Sequence, residues 1–320
     1  MSKVSVIIPN YNGEAFLKDC LDSLKQQTMK DFELIVVDNA SRDNGLSIVE
    51  KDYPEAVIIR MTENHGFSRA VNEGIRAASA EYVLALNNDT VVEPDFILRL
   101  YEAINKDKRV FSVQAKMLQL YHKELIDSAG DLYCALGWAF SRGKDKPADS
   151  YCKREEIFSA CAGAAIYRKS VFEEIGFFDE KHFSYLEDVD LGYRARINGY
   201  KNIYAPDAIV YHVGSGVSGS RYNSFKIRLA ARNSIYVIHK NMPLLQLLLN
   251  LPFVLVGILI KMAFFIKKGE GKAYFSGIRE GIVLAFTTGK YSFSGKNIGN
   301  YVKIQLELWI NMIKRVTGEL

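Results

Sequence analysis

Cysteine is scarce and unpaired: Cys20, Cys134, Cys152 and Cys161 are scattered through 320 residues with no Cys-x-x-Cys among them. That spacing indicates neither a zinc site nor a disulfide framework, and it fits a reducing cytoplasm. A secretory leader is not expected either. One Lys and then "VSVII" precede Pro9 and Asn10, short of the ~7–15-residue apolar core of a signal peptide, so the chain is expected to stay on the cytoplasmic side. No internal repeat is present. Acid is absent from residues 223–268, and residues 221–320 hold 15 Lys and Arg against 4 Asp and Glu, whereas residues 1–220 hold 26 against 33. The net charge of +4 singles out no polyanionic partner, and nucleic acid is not expected. What the chain has is apolar content, 48%, enough to bury a sizeable core and to exclude disorder.

Over the first hundred residues, apolar runs at Val4–Ile8, Phe32–Val37, Ala56–Ile59 and Tyr82–Leu86 alternate with helical patterns at Glu14–Gln26, Gly66–Ala78 and Pro94–Asn105. This is the βαβα signature of a mostly parallel sheet. The runs are continuous rather than alternating, as strands covered on both faces require. From 107 to about 220 the pattern is mixed, and "SRGKDKPADS" at 141–150 reads as a solvated loop. Beyond 222 the chain turns apolar and basic. The expected division is therefore an α/β domain over 1–222 and a helical, basic appendage over 223–320.

In an open α/β sheet, ligands bind at the carboxyl ends of the strands. The four runs end in Pro9-Asn10-Tyr11-Asn12, Asp38-Asn39, Glu63-Asn64-His65-Gly66 and Asn87-Asn88-Asp89. Any one of these is an ordinary turn or helix cap; four together point to a ligand. Tyr11, Asp38 and Asn88 could cover a base, bind its edge and bind a ribose, while Asp89 could hold a cation shared with a diphosphate.

The stretches "VSVIIPNYNG", "LIVVDNASRDNG", "ENHGFSRAVNEGI", "LALNNDTVV" and "FSYLEDVDLGYRARINGY" resemble, in order and spacing, the motifs of inverting glycosyltransferases of family 2, over about residues 1–235. "RLAARNSIYVIHKNMP" further resembles the rhamnosyltransferase-type branch. The resemblance implies a GT-A fold, a Rossmann-like mixed sheet. It implies a nucleoside-diphosphate sugar as donor, dTDP-rhamnose or otherwise a UDP-hexose, and a lipid-linked or polysaccharide acceptor. Asn87-Asn88-Asp89 takes the place of the family's Asp-x-Asp motif, whose last Asp ligands Mg²⁺ or Mn²⁺; the first Asp is here an Asn, which removes a negative charge from the metal site. By the same resemblance Pro9, Tyr11, Asn12, Asp38, Asn64, Arg69, Asn88 and Asp89 contact the nucleotide and His212 completes the metal site with Asp89. Asp188 is the base and Glu187 orients the acceptor.

Inverting transfer needs one carboxylate to take the acceptor's proton, which is the chemistry the pair Glu187-Asp188 offers. Asp190, in the first helical turn, reads as a cap against the macrodipole, and His65, His122, His182 and His239 read as core or surface residues. "GSGVSG" at 214–219 matches a dinucleotide fingerprint, but the acid that should follow about 20 residues on is missing. A loop over the diphosphate fits better, with Arg221 as a second candidate phosphate partner. A pyrophosphorylase would need a Gly-rich phosphate loop after the first strand, where "IPNYNGEAF" stands, and a catalytically silent membrane-bound subunit would not need Asp89, Glu187 and Asp188. Leu244–Lys268 is long enough to cross a bilayer, which takes ~20 residues, but Gln246, Asn250, Pro252 and Lys261 interrupt it. Helices lying in the membrane interface on the cytoplasmic side are expected, with packing against a homodimer partner as the alternative.

Overall fold

The computed structural model describes residues 2–214 and 223–318. The four apolar runs form strands β1 (Val4–Asn10), β2 (Phe32–Asp38), β3 (Val57–Arg60) and β4 (Tyr82–Leu86), joined by helices α1 (Glu14–Lys25), α2 (Gly45–Asp52) and α3 (Phe67–Ala77). β3, β2, β1 and β4 lie side by side and parallel. Side chains alternate across this sheet as the pleat demands. Val6 and Ile8 face Leu17 and Leu21 of α1, in one core that also takes in Leu100 and Ile104 of α4 (Phe96–Asn105). Ile7, Ile35 and Val37 share the opposite core with Val71 and Ile75 of α3.

Beyond β4 the sheet turns mixed. The short β5 (Thr90–Val92) leads into α4, and β6 (Val110–Gln119), β7 (His122–Ser128), β8 (Asp131–Cys134), β9 (Trp138–Ser141), β10 (Glu155–Ile157), β11 (Ala164–Arg168) and β12 (Lys201–His212) follow. The order across the ten-stranded sheet is β10-β12-β6-β11-β4-β1-β2-β3, with β5 against β12 and β7 against β6; β8 and β9 form a separate hairpin. β11 runs antiparallel between β4 and β6, which sets its first residues beside the end of β4. Helix α5 (Val171–Ile175) and helix α6 (Glu187–Ile197) lie between β11 and β12.

The expected solvated loop at 141–150 is partly anchored instead. Arg142 is buried and donates to the Ala129 carbonyl, and backbone bonds tie Ala129 and Gly130 to Arg142, and Ile126 to Asp145 and Lys146. The backbone of this stretch and the Arg142 side chain satisfy backbone groups of β7 and its exit turn, while Ser141, Asp145, Lys146 and Asp149 stay exposed to water.

The last hundred residues form α7 (Ser224–Asn241), α8 (Leu244–Lys267), α9 (Gly271–Thr287) and α10 (Ile298–Thr317). Helices α7, α8 and α10 share a core with Tyr133, Phe158, Val189 and Tyr193, to which Val237, Met242, Val254, Ile304 and Leu308 contribute, while α9 packs through Tyr274 against Ile227 and Ala231 of α7. In α8 the packed face is Gln246, Asn250, Val254 and Gly257, spaced as a helix stripe. Gln246 accepts from Tyr193 Oη at 2.7 Å, Asn250 exchanges bonds with Gln305 at 2.7 and 2.9 Å, and Lys261 lies over the Trp138 ring. The polar interruptions of the apolar run thus point into the protein, and leucines face outward.

Candidate active site

A cleft of about 890 Å³ opens at the carboxyl ends of the parallel strands, lined among others by Pro9, Tyr11, Asn64, Asn88, Asp89 and His212. Its floor is a polar lattice. Asn88 donates to Asn10 Oδ1 at 2.7 Å, Asn10 donates to Asp38 at 3.2 Å, and Asn39 donates to Asn64 at 3.0 Å. The Asn88–Asn10 bond passes directly over Gly13, where a Cβ would lie 2.0 Å from Asn88 Nδ2, so only glycine fits. Asp38 and Asn12 do not line the cleft: Asp38 is buried and accepts from Ser41 N, and Asn12, exposed at φ 51°, exchanges bonds with Ser41 and Arg42. Arg69 does not line the cleft; its charge is directed at Glu73 and Glu180.

Asp89 is buried, and its Oδ1 lies 3.2 Å from His212 Nε2. His212 Nδ1 faces Asp127 Oδ2 at 2.8 Å, and Asp127 also pairs with Lys144. With a carboxylate on each side, the imidazole is pushed up to about 9 despite its burial. A carboxylate oxygen and an imidazole nitrogen that converge, with a second carboxylate fixing the other ring nitrogen, fit a divalent cation shared with phosphate oxygens. Asp127 has no signal in the sequence because it arrives by the antiparallel return of β6 into β7. Asn87, where the family has Asp, turns its amide toward His212 Nε2 at 3.4 Å.

Asp188 stands at the start of α6, half-buried. Its carboxylate, that of Asp131 and the Cys161 thiol have ligand atoms within 4.8 Å of one another. Burial pushes Asp188 up to about 6. Burial and the charge of Asp188 together raise Asp131 and Glu187 well above the carboxylate range. Glu187 Oε2 is buried without a hydrogen-bond partner among the described residues. Two residues on from Cys161, the Gly163 carbonyl accepts from Asn87 N at 2.9 Å. Asp89 and Asp188 are therefore linked through one short loop on one side, and through the 127–131 turn on the other.

Asp190 is buried but caps nothing: it accepts from Arg194, from Lys240 at 2.9 Å and from Asn241 at 2.8 Å. These cations lie within reach of its side chain, and they hold its pKa far below the usual range. His182 is wholly buried against Tyr236, and burial lowers it to about 4. The glycine-rich stretch from residue 215 and Arg221 lie outside the described residues.

Residues 5–176 match the family described as Glycosyl transferase family 2. A poly(ribitol-phosphate) beta-glucosyltransferase of Bacillus spizizenii is 40% identical over 105 residues, 31% of this chain and 17% of that protein. An uncharacterized glycosyltransferase of Rickettsia prowazekii is 31% identical over 201 residues, 60% of this chain and 58% of that protein. The chain thus spans less than two thirds of the length of either. Among solved structures, GalNAc-T7 with UDP, GalNAc and Mn²⁺ aligns with a TM-score of 0.59 at 16% identity, over 74% of this chain and 48% of that one. S. aureus TarS aligns with a TM-score of 0.51 at 22% identity, over 74% and 42%. The ten-stranded mixed sheet is that of the GT-A fold, and the chain belongs to glycosyl transferase family 2.

Proposed function

We propose that the chain is an inverting glycosyltransferase of cell-surface glycan synthesis, moving a sugar from a nucleoside-diphosphate donor onto a lipid-linked or polysaccharide acceptor. The observation that carries the reading is the link through the 161–163 loop, which joins a half-buried carboxylate, Asp188, to the strand end that bears Asn87, Asn88 and Asp89. Asp188 takes the proton of an acceptor hydroxyl. The freed oxygen bonds to the anomeric carbon from the face opposite the leaving group, and the bond from that carbon to the diphosphate oxygen breaks. The nucleoside diphosphate departs with the electron pair. Glu187, its carboxyl raised well above the usual range by burial and by the charge of Asp188, orients the acceptor. Asp89 and His212 would hold Mg²⁺ or Mn²⁺, which when bound offsets charge on the diphosphate. Pro9, Tyr11, Asn64 and Asn88 contact the nucleotide, while Asn12 and Asp38 stand outside the cleft lining; the ion pairs of Arg69 give it a bracing role.

The rhamnosyltransferase-like segment on α7 makes dTDP-L-rhamnose the first donor to test and a UDP-hexose or UDP-N-acetylhexosamine the second. The glucosyl-transferring Bacillus relative supports a polymeric acceptor. Residues 1–222 carry the transfer, and residues 223–320 attach the enzyme to the cytoplasmic leaflet as a peripheral protein. All the large apolar side chains exposed among the described residues, except Val57, Tyr121 and Phe225, lie beyond residue 243. An apolar surface of that extent marks an interaction site, and its net positive charge favours anionic headgroups over a second copy of the same basic chain. The test is release of nucleoside diphosphate from each donor in the presence of Mn²⁺, with Asp89→Ala as control. Release that is donor-selective and lost in the variant is expected; no release from any donor, with a membrane fraction supplied as acceptor, overturns the reading.

A further inference from the structure

The segment between Asp179 and Asp190 is bent against its own preferences. His182 O accepts from Ser184 N at 2.7 Å around Phe183 at φ 62° and ψ −60°, a γ-turn of the rare, strained hand. Tyr185 and Leu186 come next at φ 71° and 66°. Three non-glycine residues with positive φ within four positions persist only where the surroundings over-determine them. Gly66 makes room on one side, since a Cβ there would lie 2.4 Å from the Phe183 carbonyl oxygen.

Helix α7 supplies the rest. Asn233, wholly buried, donates from Nδ2 to the carbonyls of His182, Ser184 and Tyr185 at 3.0, 2.9 and 2.7 Å. Arg232 donates to the carbonyls of Lys181 and His182 at 2.8 Å each, and its Nε donates to Asn233 Oδ1 at 2.9 Å. That last bond fixes which way the amide faces. One and two turns further on, Tyr236 and Lys240 bond Asp179 at 2.7 and 2.6 Å, and Lys240 and Asn241 bond Asp190. The motif "RNSIYVIHKN" thus grips the segment at both ends and in the middle. Between those grips the segment sends Phe183, Ser184 and Tyr185 into the cleft and starts α6 at Glu187 and Asp188.

We propose that Asn233, aligned by Arg232, is a positioning residue that holds 182–186 in the shape presenting Asp188 to the acceptor. The proposal rests on the assignment of Asp188 as base. The titratable groups facing Asp188 among the described residues are Asp131 of β8, Cys161, Tyr167 of β11 and Glu187. None belongs to α7, so loss of the Asn233 bonds reaches Asp188 only through the segment.

The test is Asn233→Asp, which keeps size but cannot donate, in the full chain, with Arg232→Lys as a milder variant should the first not fold. Three readouts are taken: hydrogen exchange of 181–188, kcat at saturating donor, and the pH of the acid limb. Faster exchange confined to 181–188, kcat lower by about 10²-fold and an acid limb moved to lower pH, as Asp188 gains water, are expected. Unchanged exchange over 181–188, or unchanged kcat and acid limb per folded molecule beside a lower Tm, overturns the proposal and leaves Asn233 a stabilising residue. Asp188→Asn is run in parallel: full turnover there refutes the base, and the exchange readout still decides whether Asn233 holds the segment.

Discussion

Asp188 sits near pH 6 because burial disfavours its charge, and its backbone bonds to Val189 and Ala162 only partly offset that. As a base it must be ionised, so kcat/KM should rise through about pH 6, which a pH–rate profile measures. Stability runs the other way. A carboxyl whose pKa is higher folded than unfolded costs stability once ionised, so the cost is absent below about pH 4 and complete above about 6. Asp188→Asn should therefore raise Tm at pH 7 by about 2 °C, with little gain at pH 4. On the donor side, Asp89→Ala and His212→Ala should each weaken Mn²⁺-dependent nucleotide binding in calorimetry. Asp127→Asn, which loosens the imidazole rather than removing a ligand, should cost about tenfold. Asn87→Asp restores a carboxylate and should tighten binding; affinity indifferent to EDTA in the wild type would rule out the metal.

Helices α6 and α7 are joined by buried charge, and breaking such a group is costlier than its net worth. Lys240→Met leaves Asp179 without its cation and Asp190 with Arg194 alone, so urea unfolding should show a loss of about 3 kcal/mol. Burial of α7 against this site has a visible source in sequence, "RNSIYVIHKN", whose polar residues sit at helical spacing inside an apolar region. The strand ends are legible for a similar reason: β1 to β4 are continuous apolar runs, and the polar residues at the end of each run must lie at the sheet's carboxyl edge. Asp127 and Asp131 are not legible. They reach the site through β6, β7 and β8, antiparallel returns whose register depends on pairing partners far away in sequence, and nothing in "LIDSAGDLY" announces a ring around His212 and Asp188. Asp190 reads as a helix cap from its position alone for the same reason, since the cations that claim it include Lys240, 50 residues on.

The whole chain combines an acidic, cleft-bearing sheet with a basic bundle whose outward faces are apolar, and the α7 contacts make the two mechanically continuous. Membrane attachment at the bundle should show as co-sedimentation with anionic vesicles, weakened by about 1 kcal/mol for each of Lys267 and Lys268 neutralised; concentration-dependent dimers that ignore vesicles would assign the apolar faces to a second copy instead. The 161–163 loop joins Asp188 to the strand end that bears Asn87, Asn88 and Asp89, and measuring donor binding and sugar transfer on the same Asp188→Asn protein most directly tests the proposal that the first is the base and the second the donor site. Unchanged donor affinity with transfer reduced ~10²–10⁴-fold is the predicted result, and near-normal transfer would contradict it.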